Sequence, residues 1–138
     1  MGSTMKNKIH TIEVENNEPQ SVLKIIEKIR ENKIIYIKNK FYEDENVLDS
    51  ITENGPGIIL NSSGSSGKPR KCFHHLDNLK LSAATSGQWL IEQGFDLQNC
   101  LIFNTLPLNH ISGLMPILRS QTWGCNYINI SPNLIKKN

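Results

Sequence analysis

The stretch Asn61 to Lys71, "NSSGSSGKPRK", sets four serines, two glycines and three cations in eleven residues. Glycine lets the backbone take positive φ and approach a ligand closely. Successive free backbone N–H groups in such a turn converge on an anion. The hydroxyls of Ser62, Ser63, Ser65 and Ser66 add donors, and Lys68, Arg70 and Lys71 add positive charge. The ligand chemistry implied is a polyphosphate. Composition alone fits a flexible Gly/Ser connector equally well. Position favours the first reading, because the loop directly follows an apolar strand-like run and ends in K-P-R-K. Neither common glycine-rich phosphate motif applies. GxxxxGK[ST] needs glycine at position 62 and a hydroxyl residue at 69, where Ser62 and Pro69 stand, and GxGxxG also needs glycine at 62.

The surrounding elements alternate. Residues 8–14 read as a strand, and Pro19 opens a helix whose Val22, Ile25, Ile26 and Ile29 form an apolar stripe. Residues 33–39 are a β-branched strand, and 40–57 a polar link closed by Gly55-Pro56-Gly57. Residues 57–63 and 70–75 are predicted as neighbouring strands flanking the serine–glycine loop, which Gly64 and Gly67 allow to turn. Without ligand the loop is expected to be poorly ordered, since nothing apolar anchors it. A helix over 76–94, a strand over 100–108, a helix over 112–124 with Pro116 near its first turn, and a strand over 125–130 follow. This pattern predicts an α/β fold with a partly parallel sheet flanked by helices.

Composition excludes several classes. The chain has 138 residues, 38% apolar and 20% charged, with a net charge of +2. Such a chain is soluble and globular, with no basic aromatic-interleaved stripe for nucleic acid and no run long enough to span a membrane. Cys72, Cys100 and Cys125 form no CxxC pair, which predicts buried free thiols in a reducing cytosol. Residues 1–4, "MGST", read as an expression scar. Trp89 and Trp123 are expected in the core, and His74 and His75 at a strand–helix junction.

"SSGSSGKPRK" resembles the phosphate-loop motif of the adenylate-forming superfamily: acyl-CoA synthetases, luciferases and peptide-synthetase adenylation domains. Ser62 to Arg70 match its pattern except that arginine stands for the last lysine, and Lys71 replaces a common glycine. "LPLNHISGL", residues 106–114, is similar to the P-x-x-H/F-x-x-G segment, with Pro107, His110 and Gly113 in place. More weakly, "HHLDNL" is similar to the TH-x-N-L start of the intervening helix, with His74 where threonine is usual. Within the superfamily, "LPLNHISGLMPILRSQTWG" looks most like o-succinylbenzoate–CoA ligases of menaquinone or phylloquinone synthesis, Arg119-Ser120 and Gly124 included.

The resemblance implies an ATP-dependent ligase that adenylates a carboxylate, releases pyrophosphate, and passes the acyl group to coenzyme A. It assigns Ser62, Ser63, Gly64, Ser65, Ser66 and Gly67 to the β/γ-phosphates, with Lys68 and Arg70 as electrostatic support. His110 and Gly113 go to the acyl substrate. ATP with Mg²⁺ is the implied cofactor, and coenzyme A the co-substrate. The family's Gly-x-[ST]-E segment, its ribose-binding aspartate and its C-terminal lysine are absent from the sequence. Residues 5–138 therefore read as a partial N-terminal domain, inactive alone and prone to self-association through uncovered apolar surface. Two other classes stay open: a stand-alone nucleotide- or anion-binding module, and a structural protein whose loop is only a connector.

Overall fold

The computed structural model describes residues 8–15, 17–42, 54–62 and 70–131. Four strands make the main sheet in the order β1 (Ile9–Val14), β2 (Ile34–Asn39), β3 (Gly57–Ser62), β4 (Arg70–His75). The first three run parallel, and β4 turns back antiparallel on β3. β5 (Leu101–Asn104) and β6 (Asn126–Asn129) pair in parallel as a second, two-stranded sheet. The helices are α1 (Pro19–Arg30), α2 (Leu76–Glu92) and α3 (Ile111–Trp123). The α/β architecture, with a mostly parallel sheet and flanking helices, is as the alternating pattern predicts.

Local sequence explains the elements. Pro19 sits at the start of α1, where its missing N–H costs nothing, and Lys28 and Arg30 in the last turn complement the helix dipole. Val22, Ile25 and Ile29 bury one stripe of α1, while Leu23 on the other side is exposed. β2 and β3 lie between neighbours and carry the unbroken runs "IIYI" and "IIL", as strands buried on both faces should. One core joins Ile35, Ile37, Ile58 and Leu60 of the sheet to Ile25 of α1, Leu79 of α2 and Leu114 and Ile117 of α3. Each such fully buried aliphatic side chain contributes about 1.5–3 kcal/mol. A smaller cluster of Ile34, Tyr36 and Ile59, with Phe73 against it, occupies the opposite face.

The structure corrects several sequence expectations. β5 stops at Asn104 rather than continuing to 108, because polar side chains and Pro107 pull the following backbone into a turn. A 3-10 turn at Leu97–Asn99, capped by the Asp96 carboxylate, precedes it. α3 begins at Ile111, so Pro116 falls in its second turn and leaves the Ser112 carbonyl without an α-helical partner. Trp89 is 59% exposed, not core. Trp123 does pack inward: its indole N–H donates to the Ala83 carbonyl at 2.7 Å, over Gly87 of α2. The three cysteines are free, as expected, but partly exposed rather than buried. The β5–β6 sheet presents Leu101, Phe103 and Ile128 outward, all exposed.

Candidate functional site

The serine–glycine loop is bracketed by the β3–β4 hairpin. Ser62 pairs with Arg70 in the last register position, followed inward by Asn61 with Lys71 and Leu60 with Cys72. The strands predicted to flank the loop do so. Residues 63–69, holding Ser63, Gly64, Ser65, Ser66, Gly67 and Lys68, lie outside the described residues, as does the expectation about their order. The loop's anchor is nonetheless defined: it leaves the carboxyl end of a parallel strand, where ligands of open α/β sheets bind.

A second segment reaches the same place. An open cavity of about 510 Å³ is lined by Leu60, Ser62, Cys72 and His74 on the hairpin side, and by His110, Ile111 and Ser112 from the start of α3. Ser62 and His110, drawn from separate motifs, thus face one space. Arg70, Cys72 and His74 alternate along β4 and share a face, so Arg70 stands where the loop meets the cavity wall. Gly113 and Leu114 donate backbone bonds to the His110 carbonyl, whereas the Ile111 and Ser112 amides precede the first intrahelical bond. His110 is extended and makes no side-chain cap bond. Free amides and the positive end of a thirteen-residue helix suit an anionic group such as a carboxylate.

Polar side chains outside both motifs hold His110 there. Asn17 adopts a left-handed backbone with φ 54°, which asparagine tolerates. Its amide donates to the Leu106 carbonyl at 2.6 Å, and its side-chain oxygen accepts from the Leu108 N–H at 3.2 Å. The buried Asn104 side chain donates to the Gly113 carbonyl (2.9 Å) and to the Tyr127 hydroxyl (2.8 Å), and accepts from the Leu106 N–H. Tyr127 donates to Asn129, whose amide donates to the Asn17 carbonyl. These bonds shape the turn from Thr105 to His110. Their only signal in the sequence is a cluster of asparagines at element ends.

Gly113 is buried and is not among the residues lining the cavity. A Cβ there would land on the Pro107 carbonyl. Its part is to let α3 pack onto the turn that carries His110. His74, by contrast, belongs to the cavity wall, while His75 stands at the residue before α2 and makes no side-chain cap bond. Burial pushes the His74 imidazole below its ordinary 6.5. The unfolded chain then takes up this proton more readily than the folded one. The contribution of His74 to stability is intact above pH 6.5 and lost as pH falls through its lowered folded value. His10 is shifted the same way, by burial and then by Lys28, Lys8 and Lys33. Urea unfolding at pH 7.5 and 5 is expected to show a loss that His74→Gln reduces and does not abolish. An unchanged pH dependence in that variant would contradict the assignment.

No protein-family model matches the chain, and no curated protein sequence matches it. Solved structures do. O-succinylbenzoate coenzyme A synthetase from Bacillus subtilis, in complex with AMP, superposes with a TM-score of 0.65 at 15% identity. The fold is that of the N-terminal part of the adenylate-forming enzymes. The match covers 94% of this chain and 45% of the synthetase. A double mutant of the same synthetase, bound to a product analogue, gives a TM-score of 0.51 at 13% identity, over 94% of this chain and 36% of that one. The chain therefore spans less than half the length of the structures it resembles.

Proposed function

We propose that this chain forms the phosphate-gripping loop and the carboxylate-side wall of an ATP-dependent, AMP-forming acid–thiol ligase. The observation that carries the reading is the convergence of two separate motifs on one cavity, with Ser62 on one wall and His110 on the other. The likeness in fold to a synthetase in complex with AMP supports it.

In this reading the carboxylate lies toward the α3 amides and His110 and attacks the α-phosphate of ATP. Pyrophosphate leaves toward the loop of Ser62 to Gly67, where backbone N–H groups, Lys68 and Arg70 offset the growing negative charge. Coenzyme A then displaces AMP from the acyl-adenylate. The finer assignment is o-succinylbenzoate as the acid, in menaquinone or phylloquinone synthesis, acting in the cytoplasm. Among the described residues no group of three or more His, Cys, Asp or Glu side chains is placed to hold a metal. In this reading none of the described residues holds Mg²⁺, and no step is assigned to one. Groups for adenine and ribose, and the Gly-x-[ST]-E segment, would come from further chain, so this segment alone is expected to bind anions and to make no acyl-CoA.

Calorimetry on the purified chain with pyrophosphate and with ATP tests the reading. Weak binding of pyrophosphate that Lys68→Ala abolishes, with no acyl-CoA formed from ATP, coenzyme A and o-succinylbenzoate, is expected. Absence of any anion binding would remove the loop's assigned role. Steady acyl-CoA formation would overturn the partial-site reading.

A further inference from the structure

The β5–β6 sheet holds a feature that the ligase reading does not use. Its register places Leu101 opposite Asn126, Ile102 opposite Tyr127 and Asn104 opposite Asn129. One residue before each of these parallel strands stand Cys100, whose backbone is already extended, and Cys125, both free and both partly exposed. Side chains alternate along a strand. Cys100 therefore shares the face of Ile102 and Asn104, and Cys125 that of Tyr127 and Asn129. That face is a contact surface, since Asn104 bonds the Tyr127 hydroxyl across it. The outward face carries Leu101, Phe103 and Ile128 instead. The two thiols are thus neighbours on the same side of adjacent strands. Backbones of adjacent strands lie about 4.8 Å apart, inside the span of roughly 4.4–6.8 Å that a disulfide bridges between Cα atoms.

We propose that Cys100 and Cys125 are a reversible redox pair that closes to a disulfide through exchange with a small oxidised disulfide such as glutathione disulfide. One cysteine thiolate attacks the glutathione disulfide, forming a mixed disulfide and releasing one glutathione thiolate. The second cysteine, as thiolate, attacks the protein sulfur of that mixed disulfide, and the second glutathione leaves as thiolate. Two protein thiols are oxidised, one glutathione disulfide is reduced to two glutathiones, and the two protons lost by the cysteines are taken up by the leaving thiolates.

Two local features bear on the exchange. The Cys100 thiol donates to the Asp96 carbonyl at 3.1 Å, a contact given up on oxidation. Burial, and then the neighbouring Cys100, push the Cys125 thiol upward, which lowers its thiolate fraction. The bond would staple the starts of β5 and β6 and close the whole β5–α3–β6 unit into a covalent loop. It lies at the end of the strands away from the His110 turn, so it tethers that unit without filling the cavity. Cys72, on β4 in the cavity wall, takes no part.

The chain is to be equilibrated in glutathione buffers of rising oxidised fraction, quenched in acid, alkylated and mapped by mass spectrometry. The expected product is an intrachain Cys100–Cys125 peptide pair lacking two hydrogens, reversed by dithiothreitol, with Cys72 outside it. Oxidised protein should melt at a higher temperature than reduced protein, and Cys125→Ser should lose that gain while retaining a glutathione adduct on Cys100. Separate glutathione adducts on Cys100 and Cys125 without a crosslink would overturn the proposal. So would pairing of Cys72 with either, or both thiols staying alkylatable throughout.

Discussion

Gly113→Ala is expected to destabilise the chain by about 3 kcal/mol, the upper end of what overpacking costs. The added methyl would meet the backbone carbonyls of Pro107 and Leu106, not the far end of a movable side chain. Those carbonyls cannot retreat cheaply, because Asn17 grips the Leu106 carbonyl and the Leu108 N–H on the other side. Helix α3 would have to lift instead, breaking the bond from Asn104 to the Gly113 carbonyl and moving His110 off the cavity. Gly87→Ala makes an informative contrast. There the methyl meets the Trp123 ring and Leu97, and the loss should be smaller, because side chains can shift, at the cost of the indole bond to the Ala83 carbonyl, where a pinned turn cannot. Urea midpoints of the two variants test the ranking. A Gly113→Ala variant as stable as wild type would mean that the turn is not fixed as described.

The second large effect concerns the chemistry of a ligase containing this chain. On the proposed reading, Ser65→Ala and Lys68→Ala should each raise the adenylation barrier by about 2–4 kcal/mol, whichever acid is supplied, because each would remove a partner for charge developing on pyrophosphate. His110→Ala should act at the other end, changing the response to the carboxylate more than to ATP. The cause is position: His110 starts α3 across the cavity from the hairpin that carries the loop. Single-turnover adenylation over a panel of acids separates the two. A His110→Ala enzyme equal to wild type with every acid would cancel that residue's role.

Much of the fold is legible in the amino-acid sequence. Unbroken β-branched runs at 34–37 and 58–60 announce strands buried on both faces, and the stripe of Val22, Ile25 and Ile29 announces α1. Glycines at 64 and 67 between extended segments announce a hairpin, and Ser62 does pair with Arg70. How β5 ends is only partly a local matter. "CLIFNTLPL" is apolar enough to continue, but Asn104 within it takes the Leu106 N–H, and Asn17, far away in the sequence, holds the Leu106 carbonyl and the Leu108 N–H. Exposure of Trp89 is hidden for a similar reason, since a long helix can carry an aromatic on its outer face. Gly113 reads as a site residue because it lies in the motif, and only the close approach of Pro107 shows why a side chain cannot be there. His74 joins the cavity wall only through the hairpin register, which no local pattern around it encodes.

The most direct measurement is carboxylate-dependent exchange of labelled pyrophosphate into ATP by a ligase containing this chain. Exchange that requires a carboxylate, runs fastest with o-succinylbenzoate and collapses in Lys68→Ala is the expected result. Exchange driven best by fatty or simple benzoic acids would contradict the narrower assignment, and no exchange with any acid would contradict adenylation itself.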